Sequence, residues 1–251
     1  MNELLVSIFK TNRIEKNETG ETVTLHSNTS IDQCLFIEDI FDKIKPTQTL
    51  EVGLAMGLSA LSILEKHKQA GNNDHCHIII EPFPWENIAV HNIKKFGLSR
   101  YADIRYKMSH DVLTQLFHSG YRIQLAYVDT TKVFDVVMQD FYFIDKILDC
   151  NGVIILDDCG GCWPGIQKVA RFINTLPHYK IFSAHNKNFR TLKRTFAERL
   201  FIILLKMLPF KEKFLNGFSL KTNSELGLDY SCIVFQKINN DERNWDWDAP
   251  L

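Results

Sequence analysis

The sequence predicts an α/β fold built on a seven-stranded, mostly parallel sheet with helices on both faces, a three-layer sandwich. Three observations carry this. Short runs rich in Val, Ile and Leu alternate with stretches of helical period along residues 49–176, the pattern of strands paired in parallel through right-handed crossovers. The run 152–157 is apolar on both faces, as a buried parallel strand requires. Glycines and acids recur at the ends of the strands, where an open parallel sheet binds its ligands.

Size and composition fit that class. A chain of 251 residues suits one α/β unit with an insertion. Hydrophobic residues at 45% and charged residues at 24% match globular averages and exclude a fibrous or wholly disordered chain. A formal net charge of -1 offers phosphate backbones no global attraction, so nucleic acid is not expected as a partner and small molecules are. Six scattered cysteines and an amino end without a basic region followed by an apolar run point to a cytoplasmic protein. The longest apolar stretch, 200–205, stops at Lys206 and Pro209, well short of the ~20 residues that span a bilayer. No transmembrane segment is expected.

Residues 1–29 are polar and uneven, with a turn at 16–21, and read as a loosely structured arm or lid. The main domain, 30–251, opens with a helix. Ile31, Cys34, Leu35, Ile37, Ile40, Phe41 and Ile44 keep a helical period from a cap at Ser30 or Asp32 to the stop at Pro46. Four strand and helix units follow: 49–54 with 58–70, 77–81 with 85–96, 102–108 with 111–119, and 124–129 with 134–148. The fifth strand, 152–157, leads to a helix at 165–176, and 179–184 and 230–237 are the last two strands. Between these, 186–229 is too long for a simple connection and reads as an insertion. Within it, 194–208 forms a helix apolar almost all round that carries Arg194, Arg199 and Lys206. Burial, pairing in a homodimer, a cover over the site, or contact with a membrane surface all fit such a helix.

The end of the first strand reads Leu50-Glu51-Val52-Gly53-Leu54-Ala55-Met56-Gly57-Leu58-Ser59. Gly53, Ala55 and Gly57 allow backbone amides to approach a ligand at a helix amino end, a setting for the polar tail of a cofactor. The Gly-x-x-x-Gly spacing lacks the Gly-x-Gly-x-x-Gly fingerprint of dinucleotide sites, which weighs against a nicotinamide oxidoreductase. The next strand ends in Glu81, roughly 30 residues on, where an acid accepts hydrogen bonds from both hydroxyls of a ribose. At the third strand end Ser109, His110 and Asp111 either meet an adenine or cap the next helix.

With the Glu81-Pro82-Phe83 turn and the segments 127–135 and 152–158, residues 30–175 resemble the class I S-adenosylmethionine-dependent O-methyltransferases, in particular a bacterial group with a Leu-Glu-Val-Gly-Leu-Ala-x-Gly-x-Ser loop. The resemblance implies a Rossmann-like fold and S-adenosylmethionine as cofactor. It implies that Glu51, Gly53, Gly57 and Ser59 surround the methionine moiety, that Glu81 holds the ribose and that Ser109 lies near the adenine; Ala55 in the same loop and Asp129 at the neighbouring strand end are further candidates for cofactor binding.

Asp129 after the fourth strand and Asp157-Asp158 after the fifth bring three carboxylates together. Such a cluster needs a cation, a basic side chain or a shared proton, and Mg2+ or another divalent cation held by Asp129, Asp157 and Asp158 is one answer. Where the bacterial group has Asp-Gly-x-His, this chain reads Asp129-Thr130-Thr131-Lys132. That resembles the Asp-x-x-Lys of catechol-type and caffeoyl-type O-methyltransferases, which makes Lys132 the candidate base beside Asp129. The other readings of Lys132 are an ion pair that neutralises Asp129 and Asp157 without metal, and a solvated residue that opens the next helix. Cys159 and Cys162 have metal-like spacing but no second pair to complete a zinc site, so their glycine-rich loop reads as a cover, with Trp163 as a wall. His110, His178 and His185 read as ordinary polar residues. The function expected is O-methylation of a small hydroxylated molecule of sugar or natural-product type. The alternatives are an N-methyltransferase and a protein that binds S-adenosylmethionine but has lost catalysis.

Overall fold

The computed structural model describes residues 2–160, 162–187, 195–207, 218 and 220–249. From the amino end the chain first forms α1 (Glu3–Thr11), then β1 (Arg13–Glu15) and β2 (Thr22–Thr24), which pair antiparallel around the expected turn. The Asn2 side chain accepts from Leu4 N and so caps α1. Leu5 and Ile8 of α1 and Ile14 of β1 are buried with Leu58, Leu61 and Ile93 of the main domain. The segment read as a loosely structured arm is therefore ordered, because its few apolar residues fall on one face and reach that cluster.

The main domain begins at α2 (Ile31–Ile44), capped by the Ser30 side chain. It continues through β3 (Thr49–Val52), α3 (Leu58–Ala70), β4 (His77–Ile80), α4 (Ile88–Lys95), β5 (Ala102–Arg105) and α5 (Ser109–His118). Then come β6 (Ile123–Val128), α6 (Phe134–Ile147), β7 (Leu148–Leu156), α7 (Pro164–Ile173), β8 (Tyr179–Lys187), α8 (Phe196–Met207) and β9 (Tyr230–Lys237). Seven strands form one sheet in the order β5-β4-β3-β6-β7-β9-β8. The first five are parallel, and β9 runs antiparallel between β7 and β8. The expected seven-stranded, mostly parallel sheet is the observed one.

Strand alternation sorts the two layers. Leu50, Val52, Ile78, Ile80, Ala126, Val128, Ile154 and Leu156 pack with residues of α5, α6 and α7, while Leu125, Tyr127, Val153 and Ile155 face Ile37, Ile40 and Phe41 of α2 and Ile63 of α3. The chain moves outward from β3 through β4 to β5 and then returns to β6 on the other side of β3. The carboxyl ends of β3 and β6 thus flank the reversal point, where such sheets open a crevice.

Several details differ from expectation. β5 ends at Arg105 and α5 begins at Ser109. β7 starts at Leu148 directly from α6, and an irregularity opposite Ile123 and Leu125, with Asn151 at φ +69°, absorbs the extra residues. In the insertion, the described side chains of α8 include several exposed apolar ones: Phe196 is 81% exposed, Phe201 61% and Met207 74%. Arg194 and the side chains of Arg199 and Lys206 lie outside the described residues. Among the described residues no helix is long and apolar enough to cross a membrane.

Candidate active site at the carboxyl edge of the sheet

The loop after β3 is shaped by what its backbone must approach. Gly53 has φ +92°, and a Cβ there would lie 2.0 Å from the carbonyl oxygen of Asp129, so the ends of β3 and β6 meet only because the side chain is absent. Ala55 shares the left-handed region at φ +44°. Gly57 stands at the cap position of α3 with no side-chain cap, which leaves the first amides of that helix for a polar ligand.

Glu51 and Glu81 hold the loop from two sides. Glu81 accepts from Leu54 N at 3.1 Å with one oxygen and from Phe83 N at 3.0 Å with the other. That ties the end of β4 to the glycine loop. Glu51 is fully buried; Ser59 donates its hydroxyl to one carboxyl oxygen, and His77 Nε2 lies 3.2 Å from the other. Burial pushes the Glu51 carboxyl up to about 8, with Asp129 and Glu81 reinforcing and Ser59 opposing. A cationic group placed beside it would recover its charged form.

The amino-terminal segment reaches the same loop. His26 N donates to Met56 Sδ at 3.3 Å, and the His26 ring meets Trp85 edge-on at 4.4 Å. Phe83, Trp85, Tyr106, Met108, Val133 and Trp163 are exposed in the connections that follow β4, β5, β6 and β7, and they supply apolar walls at this edge. Ser109 opens α5 and faces the nearly buried Asp140 of α6. Burial raises that carboxyl to about 6 against the pull of Ser109 and His110.

At the ends of β6 and β7, Lys132 Nζ lies 2.5 Å from Asp129 Oδ1 and 3.1 Å from Asp158 Oδ2. Burial pulls the ammonium down, but the two carboxylates outweigh it and hold Lys132 above the ordinary lysine value. Lys132 therefore stands charged between two carboxylates in this arrangement. Asp157 turns away instead. It accepts from the Tyr127 hydroxyl at 2.8 Å and from Asp158 N at 2.7 Å, and burial, with Asp129 nearby, raises it to about 6. The three carboxylates expected to hold a metal do not converge as one donor set, because Asp158, at φ +57°, swings to Lys132 while Asp157 points back under the sheet edge. The Lys132 ammonium already engages Asp129 and Asp158, so these residues as arranged do not offer one free donor set to a divalent ion. Gly165 helps fix the segment, since a Cβ there would meet the Lys132 carbonyl oxygen at 2.1 Å.

Sequence reasoning passed over Tyr127, His67, Thr49 and His77. Their signal was polar residues at Thr49 and Glu51 on one face of an otherwise apolar strand. It also placed His178 among ordinary residues, whereas His178, Asp145 and Asp241 bring donor atoms within 4.8 Å of one another. That cluster lies where α6 ends and β9 finishes, away from the glycine loop. Lys146, Lys237 and Arg243 neutralise its acids at 2.7–3.3 Å, so it is a charge clasp rather than a place for a cation. Cys159 is buried and Cys162 exposed, and the cysteines are free.

Residues 50–159 match a family model described as a methyltransferase domain. No curated protein matches the chain. Several solved structures share its fold. The SAH-bound Podospora anserina methyltransferase PaMTH1 is 18% identical with a TM-score of 0.58, over 72% of this chain and 83% of that one. The O-methyltransferase from Bacillus cereus in complex with SAH is 19% identical with a TM-score of 0.55, over 72% and 82%. The O-methyltransferase TomG from Streptomyces achromogenes, involved in tomaymycin synthesis and in complex with SAM, is 13% identical with a TM-score of 0.57, over 84% and 82%.

Proposed function

From a methyltransferase-domain match over residues 50–159 and a fold shared with solved methyltransferases, we propose that the chain is a class I S-adenosylmethionine-dependent methyltransferase that transfers a methyl group to a hydroxyl of a small acceptor of sugar or natural-product type. The observation that carries this is the pairing of Glu81 with Leu54 N at the reversal point of the sheet. It ties the acid proposed to hold the ribose to a glycine loop whose buried Glu51, raised to about 8, would regain its charge beside a cation. In this reading Glu51, Gly53, Ala55, Gly57 and Ser59 enclose the methionine moiety, which carries an amino cation. Glu81 takes the ribose hydroxyls, Ser109 lies near the adenine, and Asp129 closes the site.

S-adenosylmethionine supplies a sulfonium that is already a strong methyl donor, so alignment of the acceptor oxygen is the main task of the protein. Lys132 and Asp129 are the residues proposed to face that oxygen. Held charged by Asp129 and Asp158, Lys132 stabilises the negative charge that grows on the acceptor oxygen as its hydroxyl proton passes to the Asp129 carboxylate or to solvent. It takes the proton itself only if those carboxylates are turned away. The segment 1–29, resting on Met56 and Trp85 through His26, is proposed as a lid, and a cytoplasmic location is proposed with this activity.

Calorimetric titration tests the reading. The wild type should bind S-adenosylmethionine, and both Gly53→Arg and Glu81→Ala should abolish or strongly weaken that binding. Failure of the wild type to bind, or unchanged binding by both variants, overturns it. Binding with no turnover on any hydroxylated acceptor would favour the alternative of a cofactor-binding protein without catalysis.

A further inference from the structure

A chain of buried polar groups runs from the amino ends of β3 and β4 to Glu51. Asn72 Nδ2 lies 2.9 Å from the carbonyl oxygen of Pro46 and 2.8 Å from His67 Nδ1. Thr49 Oγ1 lies 2.7 Å from His67 Nε2 and 2.8 Å from His77 Nδ1. His77 Nε2 completes the path at 3.2 Å from Glu51 Oε2. Thr49, Glu51, His67 and His77 are all fully buried, and Thr49 and His77 are register partners on adjacent strands.

The direction of every bond in this path follows from one end. A carbonyl oxygen only accepts, so the Asn72 group facing Pro46 is its NH2, and that same nitrogen donates to His67 Nδ1. Burial holds both imidazoles neutral, at about 3, so each ring carries one N–H. With Nδ1 of His67 accepting, its proton is on Nε2 and is donated to Thr49 Oγ1. Thr49 has one hydrogen to give. The Cys76 carbonyl is 3.5 Å away and already accepts from Thr49 N, so the hydroxyl donates to His77 Nδ1 at 2.8 Å. His77 must then carry its proton on Nε2, which points at Glu51.

We propose that Asn72, His67, Thr49 and His77 are positioning residues for cofactor binding, a one-way hydrogen-bond relay that fixes His77 as a donor to Glu51 and orients that carboxyl toward the cofactor's amino cation. The proposal rests on the reading that the Glu51 loop holds S-adenosylmethionine. With Oε2 receiving the His77 N–H, a proton on Glu51 resides on Oε1 and is donated to Ser59 Oγ, and the Ser59 hydroxyl donates to Oε1 once the carboxyl is ionised. Ionisation on cofactor binding therefore occurs at the oxygen held by a side chain of the binding loop. A half-buried asparagine at the opposite end of the strands thereby sets the polarity of a group in the cofactor site.

The test reads tautomers directly. Ring-nitrogen 15N chemical shifts of the full chain, with His67 and His77 assigned, are recorded for the wild type and for Asn72→Asp, and each is titrated with S-adenosylmethionine. Both wild-type rings should be Nε2–H. A carboxylate at position 72 accepts from His67 Nδ1–H, reverses every bond, and turns the acceptor face of His77 to Glu51. Both rings should then be Nδ1–H, and affinity should fall about 10- to 100-fold, the scale of one hydrogen bond to a charged group. If Asn72→Asp does not fold, Thr49→Val interrupts the relay, and His77 alone should become a mixture of tautomers with a similar loss of affinity. A wild-type His77 in the Nδ1–H form, a variant that leaves His77 unchanged, or reversed tautomers with unchanged affinity would each overturn the proposal. Expected tautomers in a wild type that takes up no S-adenosylmethionine would overturn the functional reading, and the positioning role with it, while leaving the direction of the relay established.

Discussion

At Lys132 two forces oppose each other, and their balance decides the chemistry available. Burial disfavours the charged amine, but Asp129 and Asp158 outweigh it and hold the ammonium charged. Substitution separates the roles. Lys132→Met should lower kcat by about 10^2- to 10^4-fold, the usual scale of a lost acid-base or charge-stabilising group. Lys132→Arg keeps the charge but cannot lose its proton at any accessible pH. If Lys132 acts as a cation, the arginine variant should keep kcat within about tenfold of the wild type; as activity low as that of the methionine variant would instead make Lys132 a base. Tyr127 adds a second single-residue contribution, because its hydroxyl is one of two donors that keep the buried Asp157 from standing alone.

Between elements, the clasp of Asp145, His178, Lys237 and Asp241 joins the end of α6, the start of β8 and the end of β9. Lys237, 4% exposed, donates to the carbonyls of Asp145 and Leu148 where α6 turns directly into β7. Lys237→Met should destabilise the fold by roughly 3–5 kcal/mol in urea denaturation, the scale of an unpartnered buried charge, with little change in cofactor affinity at the far edge of the sheet. The helix α8 poses the converse question, since it presents Phe201, Ile203, Leu204 and Met207 to solvent. We propose that it pairs two copies of the chain. Sedimentation should show a dimer that Phe201→Glu with Leu204→Glu converts to monomer; a monomeric wild type would reject the pairing.

Over the whole molecule, the shifted groups set how stability depends on pH. Asp145 and Asp241 are held low, the first mainly by His178 and Lys237 against burial and the second mainly by Arg243. Their contribution is present above the unfolded aspartate value of about 3.9 and is lost as pH falls below it. Glu51 is raised to about 8, so its contribution is full below about 4.3 and declines until pH passes the folded value. Near pH 5 the neutral His67 and His77 oppose the raised Asp140 and Asp157, and these nearly cancel. Between about pH 6.5 and 8 the decline due to Glu51 remains, on the order of 1–2 kcal/mol. Thermal unfolding without cofactor should therefore give a lower Tm at pH 8 than at pH 6.5, and Glu51→Gln should flatten that window. The sequence by itself determined the strand and helix order, the glycine loop, Glu81 and the acidic strand ends, because periodicity, caps and close-approach glycines are written in neighbouring residues. Only the tertiary structure decided that Lys132 grips Asp158 rather than Asp157, that His178 joins a charge clasp, and that Asn72 communicates with Glu51. Within that clasp Lys146 and Asp241 stand 95 residues apart, and which side chains meet across such separations depends on strand order and on local backbone turns such as that of Asp158, for which no local pattern exists.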